Sequence, residues 1–179
     1  ITRWANQLVS GFLRHGLTLL LLVMLLFVLV PFLAPLFMAL EWYGPGRLIY
    51  QLYAPFCHQL PQLSWFLFVE KLTYTLDEIR QVFPYSGAWE LRTFVGTPQM
   101  GWKVAWSDRM ISFYTMTPIF GLFYALRRHR LPKPISLKLL LWTLLPIFLD
   151  GGTHALNDSL AGVAGNGFRD TNAWLAFLT

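Results

Sequence analysis

GLTLLLLVMLLFVLVPFLAPLFMAL, residues Gly16 to Leu40, contains no charged side chain. At about 1.5 Å per residue, a helix of this length crosses the roughly 30 Å hydrocarbon core of a bilayer. The run is too long for the apolar core of a signal peptide and lacks a small-residue cleavage site, so it reads as a retained transmembrane span over 16–40. Pro31 and Pro35 are expected to kink its second half. Glu41, Trp42 and Tyr43 mark the far interface, where amphipathic rings are favoured. Upstream, residues 1–15 place Trp4, Leu8 and Phe12 at helical spacing beside Arg3, Arg14 and His15, the pattern of an interfacial helix leading into the membrane.

The rest of the composition agrees. The 179 residues are 55% hydrophobic and 13% charged, about half the charge of a soluble domain, and the mean hydropathy is +0.47. The net charge of +5 does not point to nucleic acid, because the basic residues flank apolar spans instead of forming a stripe with interleaved aromatics. Cys57 is the only cysteine and makes no internal disulfide. Ile1 at the start and an apolar pattern still running at Trp174 to Thr179 read as trimmed ends.

Residues 41–106 are expected to form an outer cap. Gly44-Pro45-Gly46 reads as a turn, and Leu48 to Tyr53 as a short helix near the surface. Trp65 to Val69 is apolar but too short to span. Leu72, Leu76, Ile79 and Phe83 recur at helical spacing while Asp77, Glu78 and Arg80 face elsewhere, an amphipathic helix ended by Pro84. Trp89 to Val95 fits either a strand or a loop. A second span is expected at 107–126, with Ser107 or Asp108 as its N-cap. Arg127-Arg128-His129-Arg130 opens a cytoplasmic loop over 127–134, and a third span follows at 135–156. Residues 157–179 read as an outer loop and the start of a further helix. The expected fold is therefore an all-α, multi-span helical membrane protein. Arg3 and Arg14 before the first span, and Arg127 to Lys138 between the next two, place the N-terminus in the cytoplasm by the positive-inside rule.

This topology brings polar groups to one membrane face: Cys57, His58 and Gln59, then Asp108 and Arg109, then Asp150 and His154. A carboxylate at the depth of Asp150 costs a few kcal/mol unless it is partnered, and Arg109 is the partner expected. His154 follows Asp150 by four residues on the same helix face. Cys57, His58, Asp150 and His154 are ligand types that hold zinc or another transition metal, although no CxxC, HxxxH or HExxH spacing accompanies them. The plainer alternative is an ion-pair and hydrogen-bond network that locks two spans together. Proton relay or small-ligand binding is a third reading. No catalytic constellation is complete: Cys57-His58 has no third member.

Cys57-His58-Gln59-Leu60-Pro61-Gln62, Gly101-Trp102-Lys103-Val104-Ala105-Trp106-Ser107-Asp108-Arg109, Leu149-Asp150-Gly151 and Arg169-Asp170-Thr171-Asn172, in that order, resemble an uncharacterised family of small prokaryotic membrane proteins, the domain of unknown function 2085. The resemblance covers residues 50–179 and implies a bacterial, multi-span helical protein with a further span beyond Thr179. It brings no activity with it. The positions carried over are Cys57, His58, Gln59, Arg109 and Asp150. This chain has Leu63 where the family often has arginine, and Ser107 where it often has a second cysteine, so a two-thiolate site is not available here.

Together these observations favour a non-catalytic membrane protein, an accessory or scaffolding subunit of a larger bacterial membrane complex, including an energy-transducing one. Its partners would be membrane lipid and other integral membrane subunits, with no nucleic acid. A membrane metalloprotein or redox enzyme, and a small transporter using Asp150 and Arg109, are the alternatives.

Overall fold

The computed structural model describes residues 2–84, 87–127 and 136–161. Helix α1 (Thr2–Ala39) is continuous, so the interfacial segment expected at 1–15 is not a separate element. Gly11 and Gly16 fall inside it, and about 1 kcal/mol each is too little to break a helix this long. Pro31 and Pro35 lie in its second half. The helix stops by chain reversal. Glu41 adopts a left-handed φ of 61°, the Glu41 N–H donates to Met38 O at 3.1 Å and the Trp42 N–H to Phe37 O at 2.8 Å. The Phe37 and Trp42 rings stack at 5.9 Å, completing a Schellman motif with its hydrophobic contact.

Reversal sends α2 (Tyr43–Tyr53) back along α1. Gly44-Pro45-Gly46 is therefore not a free turn but the first turn of α2, where N–H groups have no intrahelical acceptor and proline is tolerated. Gly46 allows close approach: a Cβ there would lie 2.8 Å from Met38 Sδ and 3.4 Å from Ala34 O. At the other end, the Tyr53 hydroxyl donates to Phe27 O at 3.0 Å. Pro31 has no N–H to give that carbonyl, so the tyrosine replaces the missing helical donor. Tyr53→Phe is expected to cost about 1 kcal/mol, read as a lowered thermal midpoint in detergent. The loss should shrink in a Pro31→Ala background, where residue 31 regains its N–H; an equal loss in both backgrounds would show that the bond does not serve the proline gap.

Between α2 and the next long helix the all-α expectation is corrected. Strands β1 (Ser64–Leu67), β2 (Gly96–Thr97) and β3 (Gly101–Ser107) form an antiparallel sheet in the order β1-β3-β2. Gly101 makes the sheet possible, with φ of 74° and a hypothetical Cβ only 2.4 Å from Leu67 O, a position no larger residue can occupy. Two short helices cover the sheet segment. The expected amphipathic helix is confined to α3 (Leu76–Val82), because Thr75 caps it with a reciprocal Thr75–Glu78 capping box. Bonds from Lys71 and the Thr75 backbone hold the Glu78 carboxyl down at about 2. Trp89 to Val95, open between strand and loop, is mostly helix α4 (Ala88–Thr93).

Helix α5 (Asp108–Arg127) runs antiparallel along α1. The Tyr114 ring lies 5.2 Å from Phe27, and a Cβ on Gly121 would meet Leu21 Cδ2. Phe27 is also ringed by Tyr53, Phe56 and Trp106 at 5.2–5.5 Å. One core joins α1, α2, β3 and α5 through Ala34, Met38, Ile49, Tyr50, Trp106 and Ile111. A second, around Leu60, Phe66, Ile79, Leu91 and Phe94, holds the cap together. Helix α6 (Leu137–Ala161) follows and packs extensively against no other described element.

Among the described residues, two segments are long and apolar enough to cross a membrane, Arg14–Ala39 of α1 and Leu137–Asn157 of α6. The second span expected, 107–126, is helical as α5 but is not one of them; Ser112, Tyr114, Thr115, Thr117 and Pro118 dilute its apolar residues. The expected loop at 127–134 and the expected elements at 157–179 lie largely outside the described residues.

Candidate functional site

The short turn after α2 is built around Gln59. Its φ of 52° is left-handed, a conformation that costs a non-glycine residue about 1–2 kcal/mol and is held here by three hydrogen bonds. The Gln59 N–H donates to Cys57 Sγ at 3.3 Å, its side-chain Nε2 donates to Tyr50 O at 2.9 Å, and its carbonyl accepts from Lys103 Nζ at 2.7 Å. The Tyr50 hydroxyl donates to Lys103 O at 2.5 Å, closing a ring of bonds through Tyr50, Gln59 and Lys103.

Lys103 was not among the residues singled out by sequence. It projects from β3, is fully buried, and donates a second bond to Arg92 O at 2.8 Å, near the C-terminal end of α4 where a cation is favoured. Arg92 in turn donates from Nη2 to Ala54 O at 2.6 Å. Two carbonyls face the amine, which matches the two hydrogens of a neutral lysine. Burial accordingly pushes Lys103 down to about 7, with a pull upward from Cys57 and a further push down from Arg92. The signal that marks it in the sequence is its isolation, as the lone charge between Arg92 and Asp108.

Cys57 is buried and its sulfur accepts from two backbone N–H groups, those of Gln59 and of Ser107 at 3.4 Å. It thereby pins the turn to the junction of β3 and α5. His58, its neighbour, is exposed. Asp108 is buried and its Oδ1 accepts from the Arg109 N–H at 2.6 Å. Arg109 Nε lies 2.8 Å from Asp150 Oδ2, with the carboxylate side chain 3% exposed, so the ion pair expected from the sequence is present. His154 is partly exposed one turn further along α6.

Cys57 and Gln59 are thus tied to the β3–α5 junction through Ser107 and Lys103, and Arg109, in the first turn of α5, pairs with Asp150. The residues Cys57, His58, Asp150 and His154, expected as a metal set, are not brought together as one: among the described residues no group of three or more His, Cys, Asp and Glu side chains is close enough to hold an ion. The physical reason is that Cys57 turns into the core while His58 turns out. Two buried side-chain atoms lack a hydrogen-bond partner among the described residues, Gln62 Oε1 and Trp106 Nε1. Compared with protein-family models, curated proteins and solved structures, the chain has no match.

Proposed function

We propose that this chain is a non-catalytic integral membrane protein, an accessory or scaffolding subunit of a larger bacterial membrane assembly. The observation that carries the reading is the bareness of its long helices. Only 17% of the apolar window of α1 and 6% of that of α6 is buried within the chain, far too little for core helices of a soluble domain. Leu22, Leu26 and Leu29 on α1, and Leu141, Trp142, Phe148 and Leu149 on α6, are all exposed. Such surfaces need lipid or the helices of another subunit. The polar residues of the cap meanwhile spend their bonds inward: Gln59, Cys57, Tyr50 and Lys103 tie α2, α4 and β3 to one another.

In this reading α1 and α6 cross the membrane, and α5 crosses beside α1. Arg127 lies as far along α5 from Tyr114 as Arg14 lies along α1 from Phe27, which puts both arginines at one level and favours a cytoplasmic N-terminus. The likeness of Cys57-His58-Gln59 and Leu149-Asp150-Gly151 to the domain of unknown function 2085 supports the same multi-span, bacterial assignment. Extraction of native membranes in mild detergent is expected to yield the chain in a stoichiometric assembly with other integral membrane proteins. Recovery as a lone monomer, with no partner captured by cross-linking before extraction, would remove the scaffolding role.

A further inference from the structure

Helix α2 occupies a depth that a surface cap does not reach. Its first turn meets α1 at Ala34 and Met38 through Gly46, and its last turn meets α1 at Phe27, where the Tyr53 hydroxyl bonds the carbonyl and the Tyr53 and Phe56 rings lie 5.5 and 5.4 Å from that of Phe27. Phe27 is near the middle of the apolar stretch Arg14–Ala39, about 18–20 Å along the axis from either end. One exposed edge of α2 is apolar, with Leu48 54% and Leu52 57% exposed one helical turn apart, and Phe56, just past the end of the helix, is 53% exposed; Gln51 is exposed beside them. Arg47, near the outer end, has a stem long enough to place its guanidinium among headgroups.

Much of the irregular backbone that follows is buried and hydrogen-bonded. Non-helical chain survives at membrane depth only when buried in protein with its polar groups paired. Cys57, Gln59, Leu60, Pro61, Gln62 and Ser64 are buried, whereas Pro55 and His58 are exposed and place their side chains on the outer surface of the turn; the Gln59 N–H and carbonyl are both bonded, the Leu63 N–H donates to Leu60 O at 3.1 Å, and the Ser64 hydroxyl donates to the same carbonyl at 2.9 Å. We propose that α2 is a re-entrant helix that enters the membrane alongside α1 as far as its mid-depth and meets lipid acyl chains with Leu48, Leu52 and Phe56. This rests on α1 being a membrane span.

The test places the photoreactive residue benzoylphenylalanine at one site at a time in the full chain, reconstituted in phosphatidylcholine and phosphatidylglycerol vesicles. Leu52 is the test position, Phe56 a second should the first variant misfold, Leu22 on α1 the span control, and Trp89, 80% exposed on α4, the cap control. Cross-links from Leu52 to phospholipid acyl chains are expected within about twofold of those from Leu22, and about tenfold above those from Trp89. Lipid capture at Leu22 with Leu52 no higher than Trp89 overturns the re-entrant helix and leaves the span standing. Capture of a second protein at Leu52 overturns acyl chains as the occupant. Failure at Leu22 as well overturns the span and the inference together.

Discussion

Between pH 7 and about 9.5 the folded protein is expected to gain about 3 kcal/mol of stability from Lys103, and Lys103→Met is expected to abolish that gain. The sign follows from the direction of the shift. Burial lowers the folded-state amine to about 7 from an ordinary 10.5, so above pH 7 the unfolded chain holds a proton that the folded chain has released. Stability rises with pH wherever the unfolded state binds more protons. The penalty is fully present below pH 7 and fades toward the ordinary lysine value. The window closes near pH 9.5, before tyrosines of the unfolded chain ionise and complicate the slope. Two neighbours also act on the amine, Cys57 against the shift and Arg92 with it; both effects are smaller than the desolvation.

At pH 7 the midpoint of Lys103→Met is a poor diagnostic, because two large terms oppose each other. Leaving Gln59 O and Arg92 O without their donor costs about 1–3 kcal/mol each, whereas removing a buried amine relieves several kcal/mol of desolvation. The slope against pH separates them. Thermal midpoints in one detergent, measured across the window for both proteins, are expected to rise for the wild type and stay flat for the variant. Parallel slopes would assign the titration to another group, and a flat wild type would mean that water or a counter-charge reaches the amine.

In a chain where many of the basic residues flank apolar runs, a single lysine such as Lys103 reads as one more topogenic charge. Its burial is created by β3, whose residues are nearly all buried because α1 packs on one side and the cap core on the other. No local pattern carries that information: Gly101 to Ser107 is short, and both of its faces are covered. The same holds for α2. Gly44-Pro45-Gly46 has turn chemistry, and only the Schellman reversal at Glu41 and the seat of Gly46 on Met38 convert it into a descending helix. What was legible rests on long-range physical necessity. A charge-free run from Gly16 to Leu40 has few folded outcomes, and Asp150 in an apolar helix needs a cation, for which Arg109 stood at the right height. Gln59 was visible as a motif residue, but its role as the hub joining Cys57, Tyr50 and Lys103 required the fold.

Arg109→Ala is expected to destabilise the protein by about 3–5 kcal/mol, because it leaves the Asp150 carboxylate buried without its cation. The site is sensitive for a second reason. Helix α6 makes no extensive packing against the other described elements, so among the described residues the 2.8 Å pair from Arg109 Nε to Asp150 Oδ2 is a principal tie between α6 and α5. A merely destabilised protein and a detached α6 are distinguishable. Limited proteolysis in detergent is expected to cut between α5 and α6 and release α6 faster in Arg109→Ala, while α1 and the cap, held by their own cores, resist as in the wild type. The double variant Arg109→Leu/Asp150→Leu tests whether the loss is the orphaned charge or the lost tie. Two apolar side chains of this kind often replace a buried pair at no net cost, so the thermal midpoint should recover most of the loss. If the double variant recovers stability yet α6 still separates, the pair acts chiefly as a register device; if Arg109→Ala changes neither stability nor proteolysis, Asp150 is not held by Arg109.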